Sequence, residues 1–376
     1  MRISEVRTHH LRAELEEPFR FSQFTYTARE AMLVEVRTDE GITGWGEAYG
    51  PAVLSSAAVE KFFAPMLLGR DPRDVEAIWA YLYARSVDYG QKGVMLAGIS
   101  AIDIALWDIK AQATGQPLYR LLGGEQTETI ECYATGFYFT DSEPLEDRFE
   151  KEAKRYLADG FRAMKVKVGL GPERDAELIR HVREVIGPGA TPDDGRQPRL
   201  HPHRGAALAR RVEDCDIGWF EEPVSAIDPE AYCELKARTA IPLAGGECEY
   251  TRFGFDRWFR LRALDYCQPD LCSCGGITEG LKIATLASLT GVHVTPHAWG
   301  SAVGQAAALH FYAARPRQPF TLTPERKLIE CDRSENPFRT AIVREPVAFA
   351  GGRWTLPQTP GLGIEVRPEC FEAYRT

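Results

Sequence analysis

The chain has 376 residues, 44% hydrophobic and 26% charged, enough to bury a large core as two domains or as one barrel with an addition. Its net charge of −9 argues against a nucleic-acid or anionic-membrane partner. No apolar run approaches the ~18 residues of a membrane-spanning helix, and the opening MRISEVRTHH lacks the apolar stretch of a secretory signal.

The first third reads as a hairpin followed by helices. AMLVEVRTDEGITGWGEAYG carries two strand-like runs around the turn Asp39-Glu40-Gly41. The stretches AAVEKFFAPMLLG and DVEAIWAYLYARS follow. Then comes GVMLAGISAIDIALWDIKAQATG, whose Ile99, Ile102, Ala105, Leu106 and Ile109 recur with a helical period until Gly115 and Pro117 end it. The nine cysteines, an odd number with no paired CxxC or Cys/His cluster, read as reduced thiols of a cytoplasmic protein.

From about Thr127 the rhythm changes to short apolar strands separated by amphipathic helices. TIECYATG, FRAMKVKVG, DIGWFEEP, IPLAGGE, LDYCQPD, VHVTPH and KLIEC are the strand-like pieces, and alternation of this kind argues a parallel sheet. An eighth strand is due between Gly187 and the helix GAALARRVED. There the chain reads GATPDDGRQPRLHPHRG, with prolines and no apolar run. Eight such units make a (β/α)8 barrel. The expected division is an N-terminal domain over residues 1–126 and a barrel over 127–349. A Gly/Pro-rich tail over 350–376 is expected to pack back on the N-terminal domain.

Barrel function gathers at the C-terminal ends of the strands. Those ends carry Lys165, Lys167, Glu221, Glu222, Glu247, Asp270, His297 and Glu330, all ionisable, where a barrel built for packing alone has little use for buried charge. Lys165 and Lys167, two apart on a strand, share a face, and each ammonium depresses the other's pKa. Glu221 and Glu247 end successive strands and suit a hard divalent ion, most simply Mg²⁺, with Glu222 and Pro223 supporting the loop. Asp270 beside His297 fixes the imidazole tautomer and raises basicity at its other nitrogen. Such a set removes the proton α to a carboxylate and holds the resulting enediolate with a metal and with donors, Glu330 among them if it is protonated.

The ordered pieces GWGEAYGP, IDIALWDIKAQATGQPLYRLLGG, KVKVG, WFEEPV, GGE, QPDLCSCGGITE, PHAWGS and PGLGIE resemble the enolase superfamily, mandelate racemase subgroup, over essentially the whole chain. The stretches QPDLCSCGG, ENPFRTAIVREP and ECYATG are most similar to its galactarate and anhydrogalactonate cycloisomerases and acid-sugar dehydratases. The resemblance implies an α+β capping domain drawn from both termini and a Mg²⁺ cofactor. It also implies that Lys167 and His297 exchange protons on opposite substrate faces, with Lys165 on the substrate carboxylate and Asp270 orienting His297. The expected substrate is a small acid sugar or hydroxy acid, and a homo-oligomer is expected. Arg20 is the candidate for a distal carboxylate, with Tyr133 and Trp299 as further substrate contacts. Racemisation, or sugar-acid binding without catalysis, are the alternatives.

One departure stands out. The family's third strand ends in an Asp of a D-A-N-like motif, the first metal ligand. Counted back from Glu221, that place is Gly195, and the Asn falls on Gln197. Asp194 is the nearby substitute, although Asp193 and Asp194 point in different directions on a strand. Read one base downstream, codons permitted for Thr191 to His201 spell Arg-Leu-Met-Met-Asp-Ala-Asn-x-Ala-Tyr-Thr, an apolar strand ending in the missing ligand. A compensated frame shift is therefore one origin of this stretch. The other is a genuine Pro-interrupted segment that completes the ladder badly.

Overall fold

The computed structural model describes residues 1–124, 127–189, 201–316 and 328–375, with 191–195 described as backbone. An antiparallel sheet of β1 (Ile3–Arg20), β2 (Thr25–Thr38) and β3 (Thr43–Ala48) opens the chain. The expected hairpin is β2–β3. The long strand before it was not anticipated, because its buried residues Leu11, Leu15 and Phe19 stand four apart, a spacing shared by a helix face and a strand face. Helix Val94–Ala113 lies across β3 and is buried along nearly its whole length.

That contact is close because two β3 positions have no side chain. A Cβ on Gly46 would stand 1.8 Å from the Ala101 carbonyl oxygen, and one on Gly44 would stand 2.2 Å from that of Ala105. The buried Asp108 of the same helix accepts from Trp45 N at 3.0 Å and from Leu362 N at 2.8 Å, tying sheet, helix and C-terminal tail through one carboxyl.

The remainder is a parallel sheet of eight strands, each joined to the next by a helix. They are β4 (Thr129–Thr135), β5 (Ala163–Lys167), β6 (Thr191–Gly195), β7 (Phe220–Glu221), β8 (Leu243–Gly245), β9 (Tyr266–Cys267), β10 (His293–Val294) and β11 (Leu328–Asp332). The ladder runs from β4 to β10 in chain order, with β11 on the other side of β4. Between β10 and β11 the hydroxyl of Thr295 donates to the Leu328 carbonyl at 2.8 Å. This is a (β/α)8 barrel.

The segment 191–195 takes the third place in the barrel despite Pro192. Its backbone pairs with β5 from Ala163↔Thr191 to Lys167↔Gly195, and with β7 at Asp194↔Phe220. A proline lacks one donor, and the neighbouring positions keep the register. Gly195 therefore lies beside Lys167 and, one residue past the Asp194↔Phe220 pair, level with Glu221. The expectations placed on Gln197 and on the rest of 196–200 lie outside the described residues.

The tail first forms a hairpin, β12 (Phe349–Ala350) and β13 (Arg353–Thr355), whose second strand pairs antiparallel with the start of β4. It then crosses to the N-terminal sheet. Leu118 N donates to the Gly361 carbonyl at 2.9 Å, and Phe371 packs its ring edge on His9 and Trp45. Nine cysteines are free, and no described helix is long and apolar enough to cross a membrane.

The tight seat of β3 gives a stability test. Gly46→Ala forces a methyl into the Ala101 carbonyl and should cost about 3 kcal/mol, read as a lower urea midpoint at unchanged slope. A midpoint equal to the parent's would show that the helix and sheet are not in tight contact there.

Candidate active site

The C-terminal ends of the barrel strands bring the expected ionisable groups to one mouth. Lys165 is the centre. Its ammonium, 1% exposed, lies 2.9 Å from Glu221 Oε1 and 2.8 Å from Glu330 Oε1. Burial alone would lower its pKa, but Glu221 and Glu330 more than reverse that and hold it well above the ordinary range. The expected mutual depression of the two lysines is thus one-sided. Lys167 is pushed down to about 8, first by burial and then by the charge of Lys165.

Glu330 differs from the donor expected of it. It accepts from Thr135 Oγ1 at 2.6 Å, from Ala298 N at 2.8 Å and from Lys165. Burial raises its pKa, yet Lys165, His297 and the Ala298 N–H carry it far below the carboxylate range. With three donors aimed at it, Glu330 is an ionised acceptor.

His297 and Asp270 meet across β10 and β9, with Nδ1 2.6 Å from Oδ2. Asp270 Oδ1 accepts from Cys272 N at 2.7 Å, which fixes the carboxylate. The other imidazole nitrogen, Nε2, lies 3.6 Å from Glu247 Oε2. Burial lowers the pKa of His297, but the charges of Glu247 and Glu330 and the Asp270 hydrogen bond raise it to about 9.

The expected metal pair is arranged differently. Glu221 gives one oxygen to Lys165 and the other to Gln268 Nε2 at 2.7 Å. Among the described residues, the group whose ligand atoms all lie within 4.8 Å of one another is Glu222, Glu247 and Cys248. Mg²⁺ requires hard oxygen ligands in near-octahedral array, and a thiol is a soft one. With Gly195 offering no side chain level with Glu221, the described side chains do not complete a Mg²⁺ site. The idea that Asp194 substitutes concerns a side chain outside the described set.

Of the expected substrate contacts, only Trp299 lines the pocket that holds Lys167, Glu247, His297 and Glu330. Arg20 is turned outward, paired through both guanidinium nitrogens with Asp141 at 2.5 and 2.6 Å. Tyr133 is fully buried edge-on to Trp219, with the Lys165 ammonium 5.9 Å from its ring, so it floors the lysine rather than facing the pocket. The rest of the lining is aromatic, and three of its residues come from EEPFRFSQFTYT and AYGPAVLSS, the capping loops in which the sequence places specificity. Tyr138 accepts from Trp299 Nε1 at 2.8 Å and underlies Lys167, while Phe21, Tyr26 and Tyr49 arrive from the N-terminal region. Tyr138 lies just past the strand end in ATGFYF, and Tyr49 lies in EAYGP. Position after a strand end was the available signal for Tyr138, but aromatic residues there also serve plain packing.

A (β/α)8 barrel with a lysine pair, strand-end carboxylates and a His–Asp pair at its mouth defines an enzyme of the lyase and isomerase kind. Residues 148–370 match the family described as Enolase C-terminal domain-like, and residues 3–123 match the Mandelate racemase / muconate lactonizing enzyme, N-terminal domain. The chain belongs to this family. It is 42% identical over 376 residues to a D-galactarolactone cycloisomerase of Agrobacterium fabrum, covering 100% of this chain and 99% of the other. The crystal structure of the 3,6-anhydro-D-galactonate cycloisomerase from Zobellia galactanivorans superposes with a TM-score of 0.89 at 38% identity, covering 100% of both chains. A racemase from Streptomyces coelicolor A3(2), crystallised with bound magnesium, superposes with a TM-score of 0.89 at 27% identity over 100% of both chains.

The His297–Asp270 bond predicts its own perturbation. In Asp270→Asn, the imidazole loses a charge and its ionic hydrogen-bond acceptor. Its titration, followed by NMR, should move down from about 9 toward the ordinary 6.5. An unmoved titration would show that Asp270 does not set the basicity of His297.

Proposed function

We propose that this protein removes the proton α to the carboxylate of an acid sugar and breaks the C–O bond β to it. The observation that supports this is the pairing, in one pocket, of an amine with a lowered pKa and an imidazole with a raised one. Lys167, as free amine, takes the α-proton. The electron pair moves into the carboxylate to form an enediolate, whose negative charge develops beside the Lys165 ammonium. As the enediolate collapses, the β C–O bond breaks, and the departing oxygen takes a proton from the His297 imidazolium. Asp270 keeps Nδ1 occupied, so the proton leaves from Nε2.

The fate of the departing oxygen decides the reaction's name. An oxygen tethered in a ring stays in the product, which is then an isomer, whereas a hydroxyl leaves as water. Similarity to a galactarolactone cycloisomerase and to an anhydrogalactonate cycloisomerase favours the tethered case, a cyclic acid sugar. The aromatic lining from Tyr138 and Trp299 suits the apolar face of such a ring. The reading is tested by incubating acid sugars in deuterated solvent with the parent, Lys167→Ala and His297→Asn. Lys167→Ala should lose both α-proton exchange and turnover, by roughly 10²–10⁴-fold. His297→Asn should lose turnover by a similar factor while retaining exchange. Unchanged rates in both variants would sink the assignment.

Glu221 and Glu247 are two of the three carboxylates that the resemblance expects to hold Mg²⁺, an ion that would stabilise negative charge on a substrate carboxylate. The third place is Gly195, and this favours a second reading, a relative that binds acid sugars with impaired catalysis. Gly195→Asp should tighten Mg²⁺ binding by about tenfold or more, measured by calorimetry without substrate. Equal affinity in parent and variant would mean that position 195 does not face the ion. Sequencing the DNA over 189–203 decides between the frame-shifted and genuine origins of the stretch.

A further inference from the structure

Glu47 is a buried carboxyl outside the group just described. It belongs to β3, yet both its oxygens reach across to the barrel. Oε1 accepts from Ser301 N at 2.9 Å. Oε2 accepts from Ser301 Oγ at 2.6 Å and from Gly304 N at 2.8 Å. Ser301 is the N-cap of helix Ala302–Ala314, and its hydroxyl also accepts from Val303 N at 3.2 Å. In an ordinary capping box, an acid at the third helical position returns to the N–H of the cap residue. Here that position is Gly304, which has no side chain, and the acid comes from another part of the chain. The exchange is steric as well as electrostatic. A Cβ on Gly300 or Gly304 would stand 2.7 or 2.8 Å from a Glu47 oxygen.

The segment so held begins at His297. Each residue from the imidazole to the helix has an anchor. Asp270 holds His297, Glu330 holds Ala298 N, Arg29 Nη2 donates to the Trp299 carbonyl at 2.8 Å, and Asn336 Nδ2 donates to the Gly300 carbonyl at 3.2 Å. Two of the anchors, Arg29 and Glu47, lie on the N-terminal sheet, and Tyr49, two residues beyond Glu47, sets its ring edge-on to His297 at 5.7 Å. The loop carrying the imidazole is thus shaped from the capping sheet.

We propose that Glu47 is a positioning residue for His297, capping the following helix from the N-terminal sheet so that the imidazole meets the substrate at one fixed height. The proposal rests on the acid role given to His297 above. Glutamine is a poor replacement for the carboxyl, because its amide nitrogen at the Oε1 place would face the Ser301 N–H and leave that donor only the longer 3.1 Å bond to the other oxygen.

The test uses the full-length protein and the isosteric Glu47→Gln. Turnover of an active acid sugar should fall between about ten- and a hundredfold in kcat with KM nearly unchanged. In a His297→Asn background the same change should cause no further fall, because the two residues act as one unit. Independently of any substrate, the His297 ring proton resonances, assigned by their loss in His297→Asn, should shift and broaden in Glu47→Gln. If Glu47→Gln fails to fold, Ser301→Ala removes the 2.6 Å bond together with the 3.2 Å cap to Val303 N, keeps the two N–H bonds to Glu47, and should give the same changes at smaller size. Equal fractional losses in parent and His297→Asn backgrounds, or His297 resonances that do not move, would overturn the proposal. Absence of turnover in the parent on every acid sugar would instead overturn the functional reading, and the resonances would still decide this one.

Discussion

The ammonium of Lys165 is the constraint around which the barrel mouth is organised. It is 1% exposed and pinned between Glu221 and Glu330, so it joins strands β5, β7 and β11 across the barrel. A buried charge is tolerated only when its partners and their remaining lone pairs are satisfied. Here Gln268 completes Glu221, and Thr135 and Ala298 N–H complete Glu330. The consequences spread outward. Lys165 keeps Glu330 ionised, and its charge helps depress Lys167. Glu330 in turn helps raise the imidazole of His297. One buried cation therefore helps shift the Lys167 amine down and the His297 imidazole up.

The N-terminal sheet is more than a cover. Gly44 and Gly46 admit helix Val94–Ala113 against β3, and that seat fixes where the end of β3 points. Glu47 and Tyr49, two apart on that strand end, then reach Ser301 and His297 respectively. Helix packing in one layer is thereby linked to the placement of the His297 imidazole in the other. The aromatic lining follows the same division, with Phe21, Tyr26 and Tyr49 from the sheet side and Tyr138 and Trp299 from the barrel.

Gly195 is the point at which chain and chemistry disagree. The backbone ladder carries it to the place beside Lys167 and level with Glu221, where the resemblance implies a metal carboxylate, and glycine supplies none. The carboxylates that remain turn to the available cations, Glu221 to Lys165 and Glu247 toward His297.

The strand order and the identities of the mouth residues were readable in the sequence. In a parallel barrel every strand delivers its C-terminal end to the same side, so reading the ends of the apolar runs collects Lys165, Lys167, Glu221, Glu247, Asp270, His297 and Glu330 without any knowledge of contacts. The 18-residue β1 was not readable, because a spacing of four serves helix and strand alike. Nor was the state of each mouth group. Whether Glu330 donates or accepts, whether Arg20 faces the pocket or Asp141, and whether Tyr133 touches substrate or floors Lys165 depend on neighbours from other strands. Glu47 is the extreme case, since its partner Ser301 lies 254 residues away. Residue type and strand position are local properties, carried by the chain itself. Protonation state and hydrogen-bond partner are set by short-range fields between distant segments, and those exist only once the fold has brought the segments together.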